Sequence, residues 1–145
     1  MTTIRPLAPS DEAEWRPLWR GYLDFYKSSL DEATTAATFQ RLLEDGRFFC
    51  LVAESGDGLQ GFVHCVIHPA TWSTRDYCYL EDLFVKPAGR GEGVGRALIE
   101  AVYDEAKRRN FDRVYWLTHE TNAVARALYD KLASFDGFVQ YRRKF

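Results

Sequence analysis

Apolar side chains recur at three- and four-residue steps in some stretches of the chain and at every second residue in others, and the change of period separates helices from strands. Trp15, Leu18, Trp19, Tyr22 and Phe25 follow the spacing of an amphipathic helix. Ser10 is placed to cap its start, with Asp11, Glu12 and Glu14 putting negative charge in the first turn. Pro17 falls early enough in this segment to be tolerated or to cause a kink. A short strand is expected over 2–5, and a second helix over 35–43, ending before Asp45-Gly46. From Phe48 the period becomes two. Segments 48–54 and 61–68 read as strands joined at the turn Gly56-Asp57-Gly58, and 77–85 as a third. Helical spacing returns over 94–109, with Val94, Leu98, Ala101, Val102 and Ala106 on one side. A strand over 113–118, a helix over 123–132 and a final strand over 138–145 complete the pattern. Hairpin strands followed by strand–helix–strand–helix predict an α/β chain built on a mixed sheet. At 145 residues, with no linker or repeat, it is expected to form a single domain over 1–145.

Between the third strand and the long helix lies the stretch richest in chemistry. Tyr79-Leu80-Glu81-Asp82-Leu83-Phe84-Val85 runs into a loop with glycines at 89, 91, 93 and 95. Alternate glycines let a ligand approach the backbone, and the free N–H groups of a helix start favour phosphate. Lys86, Arg90 and Arg96 add positive charge around the loop. Two familiar phosphate loops fail here. A P-loop needs Gly-Lys-Ser/Thr, but Gly95 is followed by Arg96-Ala97; a dinucleotide fingerprint begun at Gly91 needs a glycine where Arg96 stands.

Composition narrows the classes further. A net charge of −2 argues against a chain held on nucleic acid by its overall charge, and no apolar run approaches membrane-spanning length. No basic start followed by an apolar stretch marks a secretory signal, and Cys50, Cys65 and Cys78 lack CxxC spacing. They read as reduced, buried thiols of a cytoplasmic protein. His64, His68 and His119 share no metal-ligand spacing, so no metal is expected. The aromatic share of 15% is high and calls for a core or cleft that houses many rings.

Arg90-Gly91-Glu92-Gly93-Val94-Gly95 resembles the pyrophosphate signature of the GNAT superfamily of acetyl-CoA-dependent N-acetyltransferases, Arg/Gln-x-x-Gly-x-Gly/Ala. Asn122-Ala123-Val124-Ala125-Arg126-Ala127-Leu128-Tyr129 is similar to that superfamily's Asn-x-x-Ala-x-x-x-Tyr helix, and the order of elements agrees along nearly the whole chain. Within the superfamily, residues 79–85 look most like the diamine and polyamine branch, and like yeast-type acetyltransferases of histones and D-amino acids. The resemblance implies the GNAT fold, a central mixed sheet flanked by helices, with acetyl-CoA as cosubstrate. It implies that Arg90 to Arg96, including Glu92 and Val94, hold the pyrophosphate, and that the backbone of Leu83, Phe84 and Val85 pairs with pantetheine. Asn122 would contact CoA while capping its helix, Arg126 would approach an adenosine phosphate, and Tyr129 would protonate the departing thiolate.

Acetyl transfer to an amine also needs a group that removes a proton. Strict alternation puts Tyr77, Tyr79, Glu81, Leu83 and Val85 on one strand face and Cys78, Leu80, Asp82 and Phe84 on the other. Glu81, between the tyrosines and the glycine loop, is therefore the candidate base or amine-binding carboxylate. The resemblance also implies a bulge on this strand, which would shift the phase and leave Asp82 as the fallback. Trp19, Tyr22, Tyr26, Tyr79, Trp116 and His119, with Asp24, are candidates for the acceptor site, since aromatic faces and carboxylates suit an aliphatic cation. The leading expectation is acetylation of a small primary amine such as a diamine, polyamine or amino acid. Acetylation of protein or histone lysines and a CoA-binding module without catalysis are the alternatives. The superfamily usually has two strands after the Tyr129 helix, whereas here only 138–145 follows. An uncovered strand edge invites a second chain, so a homodimer through this segment is expected.

Overall fold

A computed structural model describes residues Met1–Phe145. Five strands form one sheet in sequence order: β1 Thr3–Pro6, β2 Phe48–Ser55, β3 Gly58–His68, β4 Tyr77–Val85 and β5 Arg113–Tyr115. Each of the first four is antiparallel to its neighbour in that series, and β5 lies parallel to β4. Helices α1 Glu12–Phe25 and α2 Glu32–Glu44 precede β2, α3 Val94–Arg108 connects β4 to β5, and α4 Ala123–Leu132 follows β5. This is the mixed α/β sheet that the change of period predicts.

The strands read as almost continuous apolar runs because both faces of the sheet are covered. On one face Cys50, Val52, Phe62 and Phe84 meet Trp15, Leu18 and Trp19 of α1 and Phe39 and Leu42 of α2. On the other, Phe49, Leu51, Ala53, Val63, Cys65, Cys78 and Leu80 meet Val94, Leu98, Ile99 and Val102 of α3. The alternation along β2 deals its residues between the two layers one by one. Trp15 is fully buried; truncation of so large a buried ring to alanine typically costs about 3–5 kcal/mol.

Three local expectations are corrected. Ser10 does not cap α1: it lies in a 3-10 turn, Pro9–Asp11, and no side chain caps the helix at Asp11. The Asp11 carboxylate instead accepts from the Ala8 N–H at 2.8 Å and pairs with Arg5, tying the turn to β1. The strand expected over 113–118 stops at Tyr115. The strand expected over 138–145 does not form: no backbone hydrogen bond is made beyond Ala133, and Phe138, Val139, Tyr141 and Phe145 are exposed. A strand is defined by a partner's ladder, and alternation alone cannot supply one.

Candidate functional site

The loop from β4 to α3 holds its shape by glycine. Gly91 and Gly93 adopt φ values of 84° and 79°, in the left-handed region that L side chains rarely enter. A Cβ on either would meet no atom within 4 Å, so backbone conformation, not crowding, makes glycine necessary there. Gly93 caps α3 without a side chain, and Ala97 is the first residue whose N–H finds a helical carbonyl, that of Gly93, at 3.0 Å. From Gly91 through Arg96, six consecutive N–H groups have no hydrogen-bond partner within the chain. Such a run at the positive end of a helix dipole is suited to a phosphate-bearing ligand. Arg90 turns back along β4: its Nε donates to the Val85 carbonyl at 2.9 Å, and its guanidinium lies 5.6 Å from the Phe84 ring centre. Arg96 pairs with Glu100 one turn along the helix at 2.9 Å.

Beside the loop, the sheet opens. The β4–β5 ladder runs from Tyr77–Arg113 to Tyr79–Tyr115 and stops. No backbone hydrogen bond crosses from Leu80–Val85 to the segment that follows β5, so the edge carrying the outward backbone groups of Leu83 and Val85 has no strand partner there, and the Val85 carbonyl accepts only from Arg90. Asn122 stands across the opening at the start of α4, where its Oδ1 accepts from the Ala125 N–H at 3.4 Å. Arg126 donates to the Glu120 carbonyl at 2.8 Å, bracing the same turn. Tyr129 is half-buried against Trp116 with ring centres 5.4 Å apart, and burial raises its phenol, with Tyr26 adding to the effect.

The two acidic residues of β4 are separated by a bulge. His64 pairs with Asp82 and Cys65 with Leu80, so Glu81 has no partner on β3. The extra residue reverses the facing of everything after it. Before the bulge, Cys78 and Leu80 face the α3 layer; after it, Leu83 and Val85 do, while Phe84 packs with α1. Strict alternation is therefore corrected. Asp82 and Phe84 share the α1 side with Tyr77 and Tyr79, and Glu81 sits at the crossover.

Here Glu81, Asp82, Tyr22, Tyr26 and Tyr79 come together. Burial raises the Glu81 carboxyl above the ordinary range, and the neighbouring Asp82 raises it further. Burial and Asp82 also raise the phenols of Tyr22 and Tyr26. Burial and Glu81 do so for Tyr79, which stacks on Tyr115 at 5.0 Å. Tyr26 bridges this group to the opened edge: its ring lies 5.0 Å from Tyr22 and 6.3 Å from His119.

Two acceptor candidates lie elsewhere. Trp19 is 7% exposed, packed behind Tyr22 against Phe62 and His64, and its indole Nε1 is the single buried side-chain polar atom without a partner. Trp116 lies in the α3 layer with Tyr103 and Tyr129, away from Tyr22 and Tyr79. Helical spacing and strand alternation bring apolar rings to a face without distinguishing its rim from its interior. Asp24 is exposed beyond the aromatic group. Tyr115, whose hydroxyl meets His68 Nε2 at 2.7 Å, carries no signal in the sequence, because only the parallel pairing of β5 brings it beside Tyr79. No cluster of three His, Cys, Asp or Glu side chains is placed to hold a metal ion.

Residues 14–135 match the Acetyltransferase (GNAT) family. The D-amino-acid N-acetyltransferase HPA3 of Saccharomyces cerevisiae is 34% identical over 144 residues, covering 97% of this chain and 89% of the yeast protein. The thialysine N-epsilon-acetyltransferase of Mus musculus is 30% identical over 164 residues, covering 97% of this chain and 91% of the mouse protein. In structure, AAC(6')-Iy in complex with the bisubstrate analog CoA-S-monomethyl-acetylneamine matches with a TM-score of 0.86 at 19% identity, over 100% of this chain and 99% of that one. The fold is thus shared well beyond sequence likeness. The glycine loop and the opened sheet lie inside the matched span, and the chain belongs to the GNAT acetyltransferase family as an acyltransferase enzyme.

Proposed function

We propose that this enzyme transfers the acetyl group of acetyl-CoA to a primary amine of a small molecule, with both substrates bound together. The observation that carries the reading is the adjacency of two features: the free edge of β4 and, at its bulge, two carboxylates under the aromatic side of α1. Names of two relatives support a small amine, one an enzyme of D-amino acids and the other of thialysine. Diamines and polyamines belong to the same chemical class.

The residues divide the work as follows. The N–H groups from Gly91 to Arg96 hold the pyrophosphate, and the outward backbone groups of Leu83 and Val85, on either side of Phe84, take the pantetheine amides, with Asn122 and Arg126 on the far wall. Acetyl-CoA supplies an activated thioester. Asp82 and the faces of Tyr22, Tyr26 and Tyr79, with His119 near the opening, receive the acceptor as a cation. Glu81, with its raised carboxyl, takes a proton from the ammonium. The freed nitrogen attacks the thioester carbon while a backbone N–H near Leu83 stabilises the oxyanion. As the C–S bond breaks, Tyr129 gives its proton to sulfur, and the second proton leaving nitrogen passes through water to restore the phenol. The products are an amide, CoA thiol and one net proton.

We also propose that Met1–Phe145 is one domain working in the cytoplasm. No helix is long and apolar enough to cross a membrane. In this proposal two copies pair through 138–145, whose exposed Phe138, Tyr141 and Phe145 accompany an unpaired outer edge of β5. A monomer by light scattering at micromolar concentration would remove the dimer.

The central test is thiol release from acetyl-CoA with diamines, polyamines, amino acids and lysine peptides, using the wild type, Tyr129→Phe and Glu81→Gln. Turnover of free amines in preference to peptides is expected, with both variants impaired. Preference for peptides would make it a protein lysine enzyme. Absence of thiol release with every amine would leave a CoA-binding module.

A further inference from the structure

Asp82 is not held by a cation. Its Oδ2 lies 2.9 Å from Nδ1 of His64, the residue paired with it across the β3–β4 ladder, and His64 is 3% exposed. The other ring nitrogen, Nε2, faces Trp15 Nε1 at 3.1 Å, and Trp15 is wholly buried. An indole N–H can only donate, so Nε2 must accept and the ring's one proton lies on Nδ1, pointing at Asp82. The chain Trp15 → His64 → Asp82 thus runs from the α1 core to the strand position beside the bulge. Every link has one direction.

We propose that His64 is a positioning residue for Asp82, with Trp15 fixing its tautomer, so that the carboxylate is aimed at the acceptor amine. The proposal rests on the acceptor role given to Asp82 above. An arginine or lysine at 64 would aim the carboxylate equally well but would also neutralise it; a ring with a single proton orients it and leaves its charge for the ligand. The surroundings agree. Phe62 stacks on the imidazole at 4.2 Å and 18°, and Trp19 lies 5.3 Å away, so the ring is clamped as well as bonded. The other ionisable groups around the pair are Tyr22 and Tyr26 from α1, Cys50 opposite His64 on β2, Cys65 on β3, and Tyr79 and Glu81 on β4. None is a cation. The bulge makes the arrangement possible, because without its extra residue Asp82 would face the α3 layer and His64 would have no partner.

The test combines kinetics with a spectroscopic reading, on putrescine, lysine and D-alanine as amines. His64→Leu is expected to raise the acceptor KM about 10-fold or more, as for loss of a hydrogen bond to a charged group, with the acetyl-CoA KM unchanged. His64→Asn, whose amide nitrogen can take the place of Nδ1, should restore most of that loss. Nitrogen-15 spectra of the wild type should show a protonated Nδ1 and a bare Nε2 for His64. In Trp15→Phe, which keeps a ring but removes the indole donor, the two tautomers should mix. An unchanged acceptor KM in His64→Leu, equal losses in His64→Leu and His64→Asn, or a wild-type ring protonated on Nε2 would each overturn the proposal. Asp82→Asn separates the two levels. If it raises the acceptor KM while the His64 variants do not, the positioning role fails and the acceptor role stands. If it changes nothing for any amine, both fail.

Discussion

The glycine loop and the β4 bulge lie on one strand–loop–helix unit, yet they are specified in different ways. At the loop, the conformation is written into the residues that adopt it: Gly91 and Gly93 occupy left-handed backbone, and six N–H groups are left free by the start of α3. Little else in the chain touches those two positions. At the bulge, Glu81 and Asp82 are ordinary strand residues, and what distinguishes them comes from β3 and α1. His64 takes Asp82, and Glu81 is left unpaired at the crossover. A site for a polyanion can be made from local backbone. The cation site proposed at the bulge uses a carboxylate oriented from the neighbouring strand by His64, and that requires tertiary structure.

Substitutions can break each side of this comparison separately. Tyr129→Phe should have the largest effect, lowering kcat about 100-fold or more by removing the proposed proton donor, with both KM values nearly unchanged. Asp82→Asn should raise the acceptor KM by about 10- to 100-fold and leave the acetyl-CoA KM alone, the range expected for a charge-assisted contact. Gly93→Ala should do the reverse, raising the acetyl-CoA KM about tenfold, since a side chain in left-handed backbone costs roughly 1–2 kcal/mol. Crossed effects between these two variants would show that loop and bulge are not independent.

Glu81→Gln sharpens the comparison through pH. A base works deprotonated, so wild-type kcat/KM should fall as pH drops through the raised range of the Glu81 carboxyl, and the variant should lack that limb. A limb at the ordinary glutamate position would remove Glu81 as the base. The smallest effect concerns two tryptophans on one helix. Trp15→Phe loses the bond to His64 and should cost about 1–3 kcal/mol in denaturant unfolding. Trp19→Phe removes a donor that has no partner and should cost clearly less.

Most elements were legible because their period survives burial on both faces: β4 and α4 match the expected limits, and α3 differs by one residue. The segment 138–145 was not, because its alternation lacks a partner within one chain and a strand exists only in a ladder. Gly91 and Gly93 lie in the loop before α3 and Asn122 at the start of α4, as the pattern of elements predicts. The acceptor candidates divided. Tyr22, Tyr26 and Tyr79 gather around the carboxylates, whereas Trp19 and Trp116 lie in the layers behind, since periodicity gives a face and not a depth.

Sequence alone determined the period of each element, the glycine loop and its helix, and the family to which these motifs point. Each depends on interactions within a few residues: φ preferences, helix ends and alternation. Only tertiary structure decided which carboxylate faces α1, that β4 and β5 part after Tyr79, and that His64 and Trp15 lie in line behind Asp82. A single unpaired residue in β4 reverses the facing of every later side chain on the strand. Register is a property of two strands together, and neither strand carries it by itself.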